Sequence, residues 1–238
     1  MPTRQSVLED LKSKGNEKTR IIYIRHGLPG ERTFGVSMAD LKLIAKSIKG
    51  QQTLAYELYE SGNVDAMYLA GLVANGALMT KDQLRTWALG AADMPMICEY
   101  TVPWVTLESK DASSLATEWI ASGKDHLATI GWCTYSGIVA TSADSALDME
   151  EIKGLLATAI RQIPHAGNRV KHTMNGFVIA VGTYVAPLIE EARAAAQTIG
   201  VVTVDMGDTS CKVPLATAAI AKNEAAGKLG QKRRTMRC

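Results

Sequence analysis

A carboxylate and two aromatic rings lie close together in the sequence near residue 100. Glu99 is followed directly by Tyr100, and Trp104 comes four residues after that. The face of an aromatic ring attracts cations, so a carboxylate beside such rings suits a positively charged ligand. The alternative is the end of a capped helix with a packed tryptophan. The residues alone leave both interpretations open.

The tripeptide Arg25-His26-Gly27 follows the apolar run Ile21–Ile24. In histidine phosphatases a similar tripeptide follows a strand, and the chemistry also needs a second histidine and an acid on an α/β sheet. The rest of this sequence predicts no such sheet, and residues 164–167 make a poor second motif. A three-residue match without its structural context is weak evidence, so we do not predict a phosphatase.

The cysteine pattern does not predict a metal site. Cys98, Cys133, Cys211 and Cys238 form no Cys-x-x-Cys pair and no Cys/His cluster of the kind that binds zinc. Four cysteines in a chain of 238 residues also do not make a disulfide scaffold. We therefore expect reduced thiols and no metal.

Positive charge is concentrated near the C-terminus. The chain has 26 Lys+Arg and 24 Asp+Glu, a net charge of +2. Residues 222–238 hold six basic side chains and one acidic side chain, so this tail carries +5 and the remainder −3. A basic tail can contact phosphate groups, and the alternative is a solvated, frayed terminus.

Composition and the N-terminal residues predict a cytoplasmic globular protein. Hydrophobic residues make up 47% of the chain and charged residues 21%. No apolar run approaches the roughly 20 residues that span a bilayer. The first residues, MPTRQSVLEDLKSKGNEK, lack the apolar region of a secretory signal.

Nearly every periodic segment has the spacing of a helix. Residues 148–163 carry an apolar stripe on one helical face, begin with the capping pair Asp148 and Glu151, and end before Pro164. Similar patterns predict helices within residues 37–50, 64–74, 80–91, 168–187 and 188–200. Only Ile21–Ile24 and Val201–Val204 have the pattern of strands.

These elements predict an all-α fold. We expect about ten helices of about 10–17 residues joined by short turns, in a single domain over residues 1–238 with a short basic tail at about 222–238. The predicted helices at Asp125 and Arg169 start 44 residues apart, a spacing typical of HEAT-like repeats. We therefore predict a HEAT-like repeat α-solenoid, an α-α superhelix. A non-repeating α-bundle is the competing architecture.

Several stretches resemble the DNA alkylation repair family, the AlkD-like DNA glycosylases built from HEAT-like repeats. The resemblance runs over most of the chain. Residues 23–27 and 34–42 are similar to the family's N-terminal stretch, and Arg25-His26-Gly27 belongs to it. The other similar stretches are residues 119–122, 169–184, 207–214 and 230–235.

The resemblance implies a C-shaped solenoid whose basic face binds duplex DNA. Family enzymes excise cationic N3- or N7-alkylated purines without a metal or an organic cofactor. An aspartate stabilises the cationic sugar, two tryptophans contact the deoxyribose, and an arginine holds the backbone. In this sequence the aspartate position is Glu99, the tryptophan positions are Pro95 and Phe177, and the arginine position falls near Thr129.

This alignment predicts a DNA-binding protein whose glycosylase site is altered or lost. Glu99 is the predicted catalytic carboxylate in base excision repair, with Trp104 and Phe177 lining the substrate. The alternative is a non-enzymatic HEAT-like scaffold for a protein or RNA partner, because solenoids bind many kinds of partner. The predicted DNA-binding residues are Arg169, Lys171, His172, Lys228, Lys232, Arg233 and Arg234.

Overall fold

The chain is all-helical in a computed structural model that describes residues 2–237. These residues form 13 α-helices and no strand, which confirms the predicted all-α class. They divide into two compact units. The first unit contains residues 2–111 with 206–210 and Arg237, and the second contains residues 112–205 with 211–236. The prediction of a single domain over residues 1–238 stays a prediction.

The first unit contains seven α-helices, two short 3₁₀ turns (Gly30–Arg32 and Gly76–Leu78) and one π-helical turn (Ile97–Thr101). Its α-helices are α1 (Arg4–Lys14), α2 (Glu17–Arg25), α3 (Met38–Ser47), α4 (Gln52–Glu60), α5 (Val64–Val73), α6 (Lys81–Gly90) and α7 (Val102–Leu107).

The second unit contains six α-helices and two 3₁₀ turns, Asp144–Ala146 and Ala186–Leu188. Its α-helices are α8 (Ala112–Ile120), α9 (Asp125–Thr141), α10 (Met149–Gln162), α11 (Asn168–Tyr184), α12 (Ile189–Ile199) and α13 (Ala216–Ala225).

The capping residues decide where the helices begin. Thr80 and Gln83 form the predicted capping box of α6, and the Asp148 side chain accepts a hydrogen bond from the Glu151 N–H at the start of α10. Helix α11 differs from the prediction by one residue. Gly167 occupies its N-cap position, and Asn168 is the first helical residue.

The prediction of two strands is wrong. Ile21–Ile24 lies inside α2, where the Asn16 side chain accepts hydrogen bonds from the N–H groups of Lys18 and Thr19. Val201–Val204 has no regular structure. An apolar run of four residues fits either state, and the upstream cap decides in favour of the helix at Ile21–Ile24.

A buried carboxylate organises the core of the first unit. Asp65 is fully buried in the first turn of α5. It accepts hydrogen bonds from the N–H groups of Phe34 (2.7 Å), Gly35 (3.3 Å) and Val36 (2.8 Å). Burial raises the pKa of Asp65, and these backbone donors oppose that shift. The carboxylate thereby fixes the segment that leads into α3.

Helix α9 forms the centre of the second unit, where it packs against α8 and α11. Trp132 on α9 is completely buried, with its ring centroid 5.1 Å from that of Phe177 on α11. A Cβ atom on Gly131 would lie 2.6 Å from the Ala116 carbonyl oxygen, so α8 and α9 approach closely at this glycine.

No single helix within residues 2–237 has the length and apolar character needed to cross a bilayer. One pair of helical segments, Asn168–Tyr184 and Ala186–Ile199, meets that test jointly, with a bend of 114° between its halves.

Candidate nucleic-acid interface

Glu99 lies on a strained and irregular segment of the first unit. It belongs to the π-helical turn Ile97–Thr101, which follows Asp93 at a left-handed φ of 62°. Asp93 is the one residue other than glycine with a positive φ among residues 2–237. Strained backbone and π-turns are both frequent at functional sites. The structure thus places Glu99, which is partly exposed, in a local setting typical of a site.

The exposed aromatic ring next to Glu99 belongs to Tyr100. Tyr100 is 45% exposed, whereas Trp104 is 4% exposed and packs against Tyr68 with 5.3 Å between ring centroids. The Tyr100 and Trp104 centroids are 5.7 Å apart, so Trp104 supports the tyrosine from within. Tyr100 directly follows Glu99 in the sequence, but the nearby ring that the sequence predicts to line the substrate is Trp104, not Tyr100.

Phe177 and Thr129 are buried in the second unit, whereas Glu99 belongs to the first. Phe177 has no exposed surface and packs against Trp132 and Tyr135. Its ring offers no free face to a deoxyribose in this structure, so its predicted contact with substrate stays a prediction that requires α9 and α11 to separate. Thr129 is 2% exposed.

Three of the predicted DNA-binding residues lie together at the start of α11. Arg169, Lys171 and His172 are all partly exposed and fall in the first five residues of the helix. The N-terminal end of a helix already carries a partial positive charge. Basic side chains at that end therefore concentrate positive potential, which favours an anionic ligand.

The basic tail is docked on the second unit rather than frayed. The Lys232 ammonium lies 2.7 Å from Asp144 Oδ1 and donates a hydrogen bond to the Val139 carbonyl oxygen at 2.9 Å. The backbone N–H of Arg233 donates to the Ala140 carbonyl oxygen at 2.8 Å. The charge of Lys232 is therefore used within the fold.

The remaining predicted tail residues are turned to solvent. The side chains of Lys228, Arg233 and Arg234 are exposed. The backbone at Arg233 is held by its hydrogen bond to Ala140, and Arg234 follows it directly in the sequence. Phosphate contacts require charges of this kind.

The Arg237 side chain caps the C-terminal end of α5 in the first unit. Its Nη2 atom donates hydrogen bonds to the Ala74 carbonyl oxygen and to Glu108 Oε2, both at 2.7 Å. Glu108 Oε2 also accepts a hydrogen bond from the Gly76 N–H at 2.8 Å. Carbonyl groups at a helix end have no partner within the helix, and Arg237 supplies one.

The described residues, 2–237, include no group of three or more His, Cys, Asp or Glu placed to hold a metal ion. Cys98 is buried, Cys133 is partly buried and Cys211 is exposed.

Comparison with solved structures identifies a close structural neighbour. It is described as "a new family of proteins related to the HEAT-like repeat DNA glycosylases with affinity for branched DNA structures". The match covers 100% of both chains, with a TM-score of 0.91 and 35% sequence identity. This confirms the predicted HEAT-like repeat fold over the non-repeating bundle.

Sequence comparison gives the family. Uncharacterized proteins of Listeria innocua and Listeria monocytogenes are each 32% identical to this chain over 216 residues, which cover 90% of it and 93% of each relative. The model of the DNA alkylation repair enzyme family matches residues 7–196. The chain belongs to the DNA alkylation repair enzyme family.

Proposed function

We propose that this protein binds branched DNA, in which duplex arms meet at a junction. The observation that carries the proposal is the full-length match, at 35% identity and a TM-score of 0.91, to a protein described as having affinity for branched DNA structures. The duplex predicted as a partner is then one arm of the ligand.

The distribution of charge supports an anionic ligand. The second unit carries the exposed side chains of Arg233 and Arg234 and the basic start of α11. Proteins that bind DNA without reading its sequence obtain most of their affinity from phosphate contacts. These contacts also make binding sensitive to salt. The two groups of basic side chains lie near opposite ends of α11, since the N–H of Gly230 in the tail donates to the Thr183 carbonyl oxygen. Each can contact the DNA backbone without reading a particular base.

The direct test is the affinity of the full chain for three DNAs of matched length and composition. These are a four-way junction, a fork and a linear duplex, each measured by fluorescence anisotropy at two salt concentrations. We expect the junction to bind most tightly and its affinity to fall with salt. Equal affinity for all three would contradict the preference for branches. Binding to none of them would favour the alternative, a non-enzymatic scaffold for a protein or RNA partner.

Replacing Arg233 and Arg234 with serine should weaken junction binding about tenfold at physiological salt. Each phosphate contact contributes about 0.9 to the slope of log affinity against log salt, so the slope should become shallower by about 1–2. Thermal unfolding should not change, because both side chains are exposed. The measurement is anisotropy over a series of salt concentrations.

The matched control for this variant is the pair Lys46→Ser and Lys49→Ser, which removes two exposed charges from the first unit. An equal loss of affinity in the control would show a general charge effect and count against contacts by Arg233 and Arg234. Point variants are preferable to deletion of residues 228–238, because deletion also removes the ion pairs of Lys232 and Arg237.

A second candidate activity is excision of alkylated purines by Glu99. The observation that favours it is the partly exposed carboxylate on the π-helical turn, next to the exposed ring of Tyr100. The ring face would attract a cationic base, and the carboxylate would stabilise positive charge on the sugar as its bond to the base breaks.

Glu99→Gln should abolish the release of 7-methylguanine that the wild-type chain produces from N-methylated duplex DNA. Glutamine preserves the shape of the side chain without its charge, so junction affinity should stay within about twofold of wild type. The measurement is chromatography of released bases, with junction anisotropy in parallel. Equal release by the variant and the wild type would discard the catalytic role of Glu99.

A further inference from the structure

The second unit contains a pocket between two helix-connecting turns. One turn joins α8 to α9 and the other joins α10 to α11. The pocket has a volume of about 360 Å³, within the range of small-molecule sites. Its apolar surface comes from Ile120, Ala128, Val170 and Met174, and basic side chains from both turns also line it.

The charged groups of this pocket are mainly positive. The positive groups are Lys124, from the first turn, and Arg161, from the end of α10. The imidazole of His165 in the second turn also lines the pocket. Asp125 is the one acidic residue among the described residues that line the pocket. Its carboxylate lies against Gly167, since a Cβ atom there would be 2.0 Å from Asp125 Oδ2. It therefore faces the positive end of α11.

The pocket combines apolar residues at its base, the floor, with basic residues at its edge, the rim. This combination indicates which class of ligand fits. A bare phosphate would leave the apolar residues uncovered, and a neutral apolar molecule would leave Lys124 and Arg161 without an anion. A nucleotide has both parts, because the flat faces of its base are apolar and its phosphate is an anion. The pocket volume accommodates one nucleotide.

We propose that this pocket binds one unpaired nucleotide of a branched DNA. The base lies on the apolar floor formed by Ile120, Ala128, Val170 and Met174, and the phosphate lies between Lys124 and Arg161. The inference rests on the proposed function, since some branch points carry an unpaired nucleotide. An apolar floor carries no hydrogen-bonding pattern, so the pocket accepts any base.

The test compares two three-way junctions that differ at one point. The first carries a single unpaired nucleotide with a 5′-phosphate at the branch, and the second is fully paired. We expect the wild-type chain to prefer the first by about fivefold, the effect of two exposed cations on one phosphate. Lys124→Ser with Arg161→Ser should abolish the preference and leave affinity for the fully paired junction within about twofold.

Two further variants separate the pocket from a general charge effect. Lys153→Ser with Lys222→Ser removes the same charge from exposed positions outside the pocket, and it should keep the preference. Ala121→Trp fills the rim from an exposed position without changing charge, and it should lose the preference. A preference that survives both Lys124→Ser/Arg161→Ser and Ala121→Trp would overturn the inference.

Calorimetry with deoxyadenosine monophosphate distinguishes failure of the inference from failure of the proposed function. Equal affinity for the two junctions, with no binding of the mononucleotide, would overturn the pocket and leave branched-DNA binding intact. Absence of affinity for any junction would overturn the proposed function. Mononucleotide binding that Ala121→Trp abolishes would still support the pocket in that case.

Discussion

Replacing Asp65 with alanine should destabilise the protein by about 3–6 kcal/mol. The substitution leaves the N–H groups of Phe34, Gly35 and Val36 without their carboxylate acceptor. An unsatisfied buried donor costs about 1–3 kcal/mol, and three of them approach the whole stability of a typical domain. Urea unfolding followed by circular dichroism measures the change.

The matched control is Asp82→Ala. Asp82 is also an aspartate in the first turn of a helix, α6, but its side chain is 91% exposed and forms a surface ion pair with Arg85. Its loss should cost no more than about 0.5 kcal/mol. If Asp65→Ala were as mild as Asp82→Ala, the carboxylate would not hold the segment before α3.

Gly131→Ala should destabilise the protein by about 2–3 kcal/mol, because it overpacks the crossing of α8 and α9. The added Cβ atom would lie 2.6 Å from the Ala116 carbonyl oxygen and 2.9 Å from the Ile120 nitrogen. Both are backbone atoms, so a rotamer change cannot relieve the clash and the helices must move apart. Thermal unfolding and urea unfolding both measure the loss.

Two other glycines provide controls in the same unit. Gly154 on α10 and Gly176 on α11 are exposed helical positions where an added Cβ atom meets nothing within 4 Å. Alanine at either should stabilise the helix by up to about 1 kcal/mol. Alanine should lower stability at Gly131 and raise it at Gly154. The close packing around Gly131 accounts for this difference in sign. A destabilisation at all three glycines would instead point to a shared effect on helix formation.

The helices were predictable because their signals are local. The Thr80 and Gln83 pair marks the start of α6, and Asp148 marks the start of α10. At Ile21–Ile24 the apolar run was ambiguous, and the prediction failed because it gave the run more weight than the upstream cap at Asn16. Local signals therefore predict a helix or strand reliably only when the apolar pattern and the capping residue indicate the same element.

The candidate site was less predictable for two reasons, one of them local and the other long-range. The π-helical turn changes the helical period between Glu99 and Trp104, so spacing could not tell that Tyr100 is exposed and Trp104 buried. The docking of Lys232 on the Val139 carbonyl oxygen joins residues 93 apart in sequence. No nearby residue signals that this lysine, unlike Arg233 and Arg234, is already paired.

The position of Arg237 has a consequence for synthesis. The carbonyl oxygen of Ala74, at the end of α5, receives its hydrogen bond from a residue 163 positions later in the chain. At about 5–20 residues per second, a ribosome adds Arg237 roughly 8–33 seconds after Ala74. During that interval the nascent first unit lacks the side chain that joins the end of α5 to Glu108. The final structure of this early-made unit is therefore completed by a residue translated 163 positions after Ala74.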